Sequence, residues 1–399
     1  MKQFPRPLIV GVIIAIAAVV ALLLLRTRSN TSSSPPATPA ALAAALWQNY
    51  QQHYWDANTG QTTDPRTNTT TSEAQSYTML RAVWSDDQTA FQKTWQWTSQ
   101  HMQRSDKLFS WQWGKRPDGT EGILTGNGGQ NTASDADTDI ALALILAANR
   151  WHDAAYGTAA SAIVPSIWEQ EVVIIQGEPY LTADNLEKNS PAPLLNPSYF
   201  APYAYRIFAA IDPGHPWDEL AGHSYTTLQA ASQKQLGSRA SAGLPPDWVQ
   251  IDRATGSLSA AKGHDTDFGF DALRVVWRTA LDYAWNDTAS AKNALASFSA
   301  LDDDWNHDHK LYAIYHHSGQ PAVNYSSTAM YGGTLGYFSV IHPQTAKTIY
   351  DSQLAPLYDP ATHRLTKTLN YYDNNWAWFG AALYGHLLPK PSLAGGLYK

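Results

Sequence analysis

Residues 133–151 read Ala133-Ser134-Asp135-Ala136-Asp137-Thr138-Asp139-Ile140-Ala141-Leu142-Ala143-Leu144-Ile145-Leu146-Ala147-Ala148-Asn149-Arg150-Trp151, with three aspartates opening an otherwise apolar run. Ile140, Leu144, Ala147 and Trp151 recur with the 3.6-residue period of a helix face set against a core. Asp135 and Asp139 lie four apart and share one face, whereas Asp137 projects to another side, so a single solvent-exposed face cannot hold all three. Acids are also favourable in a first helical turn, where the macrodipole is positive, and on this stretch alone that reading stands level with a functional one.

Outward from this helix, periodicity predicts about twelve helical segments, near 41–54, 73–84, 88–104, 135–151, 154–170, 198–210, 217–235, 266–285, 288–301, 327–340, 344–356 and 375–387. The expected fold class is therefore all-α. Connections alternate between long and short, and a short link makes its two helices antiparallel neighbours. Six pairs result, with every long loop leading into an even-numbered helix, so the long loops gather at one end. Function is expected there, because loops on a rigid scaffold carry it. The even-numbered helices open on Ser72-Glu73-Ala74-Gln75-Ser76-Tyr77, the aspartate stretch, Asn196-Pro197-Ser198-Tyr199-Phe200, Asp267-Phe268-Gly269-Phe270-Asp271, Tyr325-Ser326-Ser327 and Asn374-Asn375-Trp376. A ring of six inner helices would aim all six starts into one cleft. Val172-Val173-Ile174-Ile175 is the best candidate for a small strand in a loop.

Composition narrows the function. At 399 residues and 44% hydrophobic, the chain can bury a large core. Lys2, Arg6, Arg26 and Arg28 are the only charges in the first 40 residues, which leaves 23 bases against 34 acids in the rest and argues against nucleic-acid binding. Sixteen Trp and 21 Tyr suit flat ligands such as sugar rings as well as core packing. Without cysteine there is no disulfide, thiol chemistry or cysteine metal site. Leu8 to Leu25 is an unbroken apolar run of 18 residues followed by Arg26-Thr27-Arg28 rather than small residues, which predicts an uncleaved membrane anchor over 1–28 with its transmembrane helix at 8–25. A Ser/Thr/Pro linker follows over 29–39, and the globular part is expected at 40–399.

Glu73 shares a helix face with Tyr77, Leu80 and Trp84, and a carboxyl in such surroundings has the raised pKa of a general acid. Thr70 and Glu73 also fit a capping box, and on these residues alone capping is favoured. Asp271 precedes Arg274 by three, amid Phe268, Phe270, Leu273 and Val275-Val276-Trp277; a carboxylate buried beside one arginine stays ionised, as a general base must, while the alternative is a surface ion pair. Asp304, Asn306 and Asp308 copy the opening of a calcium loop, but His309 stands where the turn needs Gly and no Glu closes it, so no metal is expected. Neither a Gly-x-Ser-x-Gly nor a phosphate loop occurs.

The stretch from Ala133 to Trp151 resembles the defining motif of glycoside hydrolase family 8, the former cellulase family D. Ser72-Glu73-x-Gln75-Ser76-Tyr77 with Met79-Leu80, Ser110-Trp111-Gln112-Trp113, Asn196-Pro197-Ser198-Tyr199-Phe200-Ala201-Pro202, Pro246-Asp247-Trp248 and Phe270-Asp271-Ala272-x-Arg274 resemble further blocks of that family in its order. The resemblance covers residues 40 to 390 and implies an (α/α)6 barrel of six inner and six outer helices. It also implies inverting hydrolysis of β-1,4-linked glycans without a cofactor, with Glu73 as general acid, Asp271 as general base and Asp135 contacting the distorted sugar at the cleavage point. Arg274 would bind substrate, and Trp111, Trp113, Tyr199, Tyr203 and Trp376 are candidates for stacking on sugar faces, about half of them expected to serve the core instead. Phe270 stands where many members have Tyr, and Ala74 and Thr78 replace glycines common in the acid's helix. The expectation is a monomeric, membrane-tethered extracellular endo-β-1,4-glucanase acting on a β-linked polysaccharide, with secretion after cleavage as the alternative location. A chitosanase, xylanase or mixed-linkage glucanase of the same family, or an inactive glycan-binding barrel, are the alternative functions.

Overall fold

Thr38 starts the folded part: its hydroxyl accepts from the Ala41 N–H and Pro39 follows at the first helical position, a residue whose fixed φ suits a helix start. Ala37 is already buried and its carbonyl accepts from the Tyr350 hydroxyl, so the folded unit begins at Ala37 rather than Ala40. The structure, a computed structural model, describes residues 36–393 and 396–398. The anchor expected at 1–28 and most of the linker at 29–39 lie outside the described residues; among those described, no helix is long and apolar enough to cross a membrane.

The chain is mostly helical. Its helices are α1 (Pro39–His53), α2 (Ser72–Trp84), α3 (Gln88–His101), α4 (Ser134–Trp151), α5 (Ala154–Glu171), α6 (Pro202–Ile211), α7 (Trp217–Gln233), α8 (Leu273–Asn286), α9 (Ala289–Ala296), α10 (Ala300–Asp308), α11 (Thr328–Ile341), α12 (Pro343–Ile349) and α13 (Tyr371–Tyr384). Each of α2, α4, α6, α8 and α11 packs on the helix that follows it, and α13 packs back on α1. Those six are also the buried ones. Every residue of α4 from Ser134 to Ala148 is buried, a pattern that only a helix enclosed on all sides shows. Contacts run α2 to α4, α6 to α8, α8 to α11 and α11 to α13, which is the order of neighbours an (α/α)6 barrel requires.

Two inner helices touch through glycine. A Cβ on Gly332 would lie 2.0 Å from the Trp376 carbonyl oxygen, and one on Gly380 would lie 2.4 Å from the Gly332 carbonyl oxygen. Backbones this close leave no room for any other residue, so α11 and α13 form the tightest seam of the ring.

Four expectations change. Residues 265–271 form a loop rather than the first turns of a helix, and α8 starts only at Leu273. Residues 197–199 are a 3-10 turn before Pro202, so α6 begins later than 198. The segment expected at 288–301 is divided into α9 and the start of α10, with Ser297 to Ser299 between them. The Asp302-Asp303-Asp304 stretch is a helix, not a loop: Leu301 and Trp305 are four apart and both buried, and Asp302 and Asp303 lie in its first turn. The strand expected at Val172–Ile175 is present, paired antiparallel with Glu178–Leu181. Gln176 and Gly177 make the turn with φ of 55° and 89°, as a two-residue hairpin requires. Two three-stranded sheets edge the long-loop end; one combines Thr69–Thr71, Gln112–Lys115 and Glu121–Ile123, the other Leu194–Leu195, Val249–Ile251 and Leu258–Ala260.

Candidate active site

The four-residue spacing on α4 meets the same spacing on α8. Asp135 Oδ2 accepts from Arg274 Nη1 at 3.3 Å, and one turn deeper Asp139 takes Arg278 in a fork of 2.8 and 2.7 Å. All four side chains are buried, and Arg278 also donates to the Tyr203 hydroxyl at 2.6 Å. A dipole role for the aspartates explains none of these pairings. Asp137 points the other way, as its spacing requires: its Oδ1 accepts the Phe109 N–H at 2.8 Å, and it faces Glu171, which also accepts from the Thr132 hydroxyl. Burial and the neighbouring Glu171 charge push the Asp137 carboxyl well above the usual carboxylate range, so it keeps its proton and can donate to Glu171. This pair braces the start of α4 against the end of α5 and stands apart from the Arg274 cluster.

Arg274 is the hub. Besides Asp135, it holds Glu73 Oε2 at 2.5 Å through Nη1 and Asp271 Oδ1 through Nη2. Glu73 comes from the first turn of α2, Asp135 from the first turn of α4, and Asp271 from the loop before α8, so three chain segments deliver carboxyls to one guanidinium. The arginine itself is 2% exposed, whereas the Glu73 and Asp271 side chains keep 24% and 31% exposure, which opens the cluster on one side. Asp135 Oδ1 has no hydrogen-bond partner among the described residues. Burial, offset in part by Arg274 and reinforced by the Asp135 and Asp271 charges, raises the Glu73 pKa to about 7. Burial likewise lifts Asp135 to about 6 against the pull of Arg274 and Arg278.

Capping falls to a neighbour. Thr71, not Thr70, is the N-cap of α2, and its hydroxyl accepts from the Ala74 N–H at 3.0 Å. Thr70 lies in a strand opposite Trp113, and Glu73 is free to face Arg274.

Of the aromatic candidates, Tyr199 belongs to the cluster: the Arg274 guanidinium carbon sits 5.3 Å from its ring centre. Trp111 is half-buried immediately before the strand Gln112–Lys115, its indole N–H donating to the Gly128 carbonyl at 3.0 Å. Two others serve packing instead. Tyr203 and Trp376 are each 1% exposed, the first against Trp277 and Trp285 and the second against Tyr77 and Trp277, so neither can meet a sugar. Trp113 packs edge-on against Trp97 and His101 of α3. Sequence reasoning left Trp248, Asp247 and Tyr372 unassigned. Trp248 donates its indole N–H to Asp271 Oδ2 at 2.9 Å, and the Tyr372 hydroxyl donates to the carbonyl of Phe270. Pro246-Asp247-Trp248 is visible as a block, but nothing local shows that it reaches residue 271.

The chain is 30% identical over 239 residues to endoglucanase A of Acetivibrio thermocellus, a match that covers 58% of this chain and 46% of that protein. It is 33% identical over 251 residues to an endoglucanase of Cellulomonas uda, covering 62% of this chain and 65% of the other. The matched part thus spans about half the length of the first of these relatives and under two thirds of the second. The crystal structure of a family 8 endoglucanase from Klebsiella pneumoniae superposes with a TM-score of 0.69 at 25% identity, covering 86% of this chain and 99% of that one. The profile of the glycosyl hydrolases family 8 matches residues 18–380, and the chain therefore belongs to that family.

Proposed function

We propose that the chain is an inverting endo-β-1,4-glucanase whose helices form an (α/α)6 barrel and whose catalytic carboxyls are those gathered on Arg274. The observation that carries this reading is the meeting of Glu73, Asp135 and Asp271 on one buried arginine at the open end of the inner helices. Endoglucanase names among the relatives supply the substrate class.

In this reading each group has a task that its surroundings support. Glu73, with a pKa of about 7, holds a proton at mildly acidic pH and gives it to the leaving glycosidic oxygen. Asp271, in contact with Arg274 and Trp248, takes a proton from the water that attacks the anomeric carbon from the opposite face. The C–O bond to the leaving sugar breaks as the bond to water oxygen forms, so one proton leaves Glu73 and one arrives at Asp271. Asp135 offers its unpartnered Oδ1 to a hydroxyl of the sugar at the cleavage point, where a buried acceptor lacks a donor. Tyr199, beside Arg274, offers an aromatic face to a neighbouring ring. Arg274 holds the carboxyls at fixed spacing. Glu73 meets Nη1 and Asp271 meets Nη2, so the two carboxyls stand at different nitrogens of one guanidinium, and the reading requires them about 6.5–9.5 Å apart, with a water between base and sugar.

Hydrolysis of carboxymethylcellulose, barley β-glucan, chitosan and xylan under one set of conditions tests the substrate. The first two are expected to be cut, with viscosity falling well before reducing ends accumulate, as internal cleavage demands. Turnover confined to chitosan or to xylan would replace the glucanase reading, and turnover of none would favour a glycan-binding barrel.

We also propose that Leu8 to Leu25 tethers the enzyme to the cell membrane with its catalytic part outside, on the strength of 18 consecutive apolar residues and the Ser/Thr/Pro tether after them. Full-length protein is expected in the membrane fraction, and removal of residues 1–35 is expected to release an active soluble form. Recovery from the medium of a product cleaved near Ala37 would refute the uncleaved anchor.

A further inference from the structure

Helix α8 begins without a cap of its own. Ala272 occupies the N-cap position and has no side-chain acceptor, although the N–H groups of a first turn need one. At α1, α2 and α11 a local hydroxyl does this work, from Thr38, Thr71 and Ser327. At α8 the N–H groups of Leu273, Arg274 and Val275 donate to the carbonyls of Gly269, Asp271 and Ala272, and that preceding turn is held from 25 residues upstream: Asp247 Oδ1 accepts from the N–H groups of Gly269 at 3.1 Å, Asp271 at 3.1 Å and Ala272 at 2.6 Å. The fit leaves no room for a side chain at position 269, where a Cβ would stand 2.6 Å from Asp247 Oδ2.

The next residue completes the grip. Trp248 donates its indole N–H to Asp271 Oδ2 at 2.9 Å while Arg274 occupies Oδ1. Consecutive residues therefore fix first the backbone and then the carboxylate of Asp271. A carboxylate held at both oxygens cannot turn about its Cβ–Cγ bond, and only its remaining lone pairs stay open to water. Asp247 and Trp248 are themselves tied down, their N–H groups donating to the carbonyls of Asp267 at 2.7 Å and Asp265 at 3.1 Å. The indole also packs edge-on against Tyr199 with ring centres 5.8 Å apart and lies 4.9 Å from the His264 ring. A cap from a local serine would satisfy the same N–H groups and would bring no indole to Asp271.

We propose that Asp247 and Trp248 are positioning residues for the reaction: Asp247 sets the turn that presents Asp271, and Trp248 orients its carboxylate toward the attacking water. This rests on the assignment of Asp271 as the base. Neither residue touches the reacting atoms in this scheme, so their loss acts through Asp271.

Steady-state kinetics of Trp248→Phe, Asp247→Ala and Asp247→Asn on a soluble β-glucan oligosaccharide, with Asp271→Asn beside them, test it. Trp248→Phe keeps an aromatic ring and removes the donor. Its kcat is expected to fall by roughly 10- to 100-fold, the scale of a small misplacement of a reacting group, with KM within about twofold of the parent. Asp247→Asn retains an acceptor oxygen and should keep several times the kcat of Asp247→Ala, measured per folded molecule. A parental kcat in Trp248→Phe, or a raised KM with kcat unchanged, overturns the proposal, the second result making Trp248 a sugar-binding residue. Equal kcat in the two Asp247 variants overturns the role of Asp247. Full activity in Asp271→Asn would instead sink the base assignment itself, whereas an inactive Asp271→Asn beside an unchanged Trp248→Phe sinks only the positioning scheme.

Discussion

Glu73→Gln is expected to leave a folded protein that hydrolyses an unactivated β-glucan ~10² to 10⁴-fold more slowly than the parent. The amide keeps the shape of the side chain and can still meet Arg274, but it cannot give up a proton. Folding should survive because Thr71 rather than Glu73 caps α2. The pH dependence carries the same signature. With its pKa raised to about 7, Glu73 is protonated below that value and ionised above it, so the parent's kcat/KM should decline as pH rises through about 7. Linkage works in the same direction on stability: the folded state holds this proton between the unfolded value near 4.5 and about 7, so the contribution of Glu73 is present at low pH and lost as pH rises through about 7. The Gln variant lacks that loss and should be at least as resistant to denaturant as the parent at pH 8. Unfolding of the variant with activity per folded molecule intact would make Glu73 a structural residue.

Asp271→Asn is expected to stop turnover to a similar degree, since an amide accepts no proton from water. Its effect on stability should be the smaller one. Removing one partner of a buried ion pair costs about 3–5 kcal/mol when the other charge is left alone, but Arg274 retains Glu73 and Asp135. Differential scanning calorimetry beside the rate measurement separates the two effects. A collapse of the fold with normal activity in the surviving molecules would mean that Asp271 serves Arg274 rather than the reaction. Asp137, close to the cluster in sequence, is no substitute base: its Oδ1 accepts the Phe109 N–H and its carboxyl faces Glu171, away from Arg274.

How much of this was legible in the sequence follows from the range of each signal. The face assignment on α4 needed only the helical period, and the structure honours it, with Asp135 and Asp139 on α8 and Asp137 turned to α5. Helix pairing followed from loop lengths, and the first strand of the 172–181 hairpin from a short β-branched run. That Glu73 and Asp271 belong together came from a family resemblance, because no periodicity links residues 198 positions apart. The misread aromatics show the limit of residue type. Tyr203 lies in the first turn of α6 and Trp376 in the second turn of α13, near helix starts as Tyr199 is just before α6, yet both are buried in the core, and nearness to a start does not say which way a side chain points. The late start of α8 was missed for a related reason: residues 265–271 are shaped by Asp247, an acceptor on another segment, which propensity along the chain cannot register. Thr70 and Thr71 differ by one residue, and only the strand pairing of Thr70 with Trp113 decides which of them caps.

The stereochemistry of the first product tests the central claim most directly. If Asp271 activates water on the face opposite the leaving group while Glu73 protonates the departing oxygen, cleavage of a β-linked oligosaccharide must release a new reducing end in the α configuration. Proton NMR of the anomeric signals in the first minutes of the reaction, before mutarotation mixes them, is expected to show the α signal rising first and the β signal following. A β signal rising first would require a covalent intermediate and carboxyls only about 5 Å apart, and would contradict the base role of Asp271 and the inverting scheme built on it.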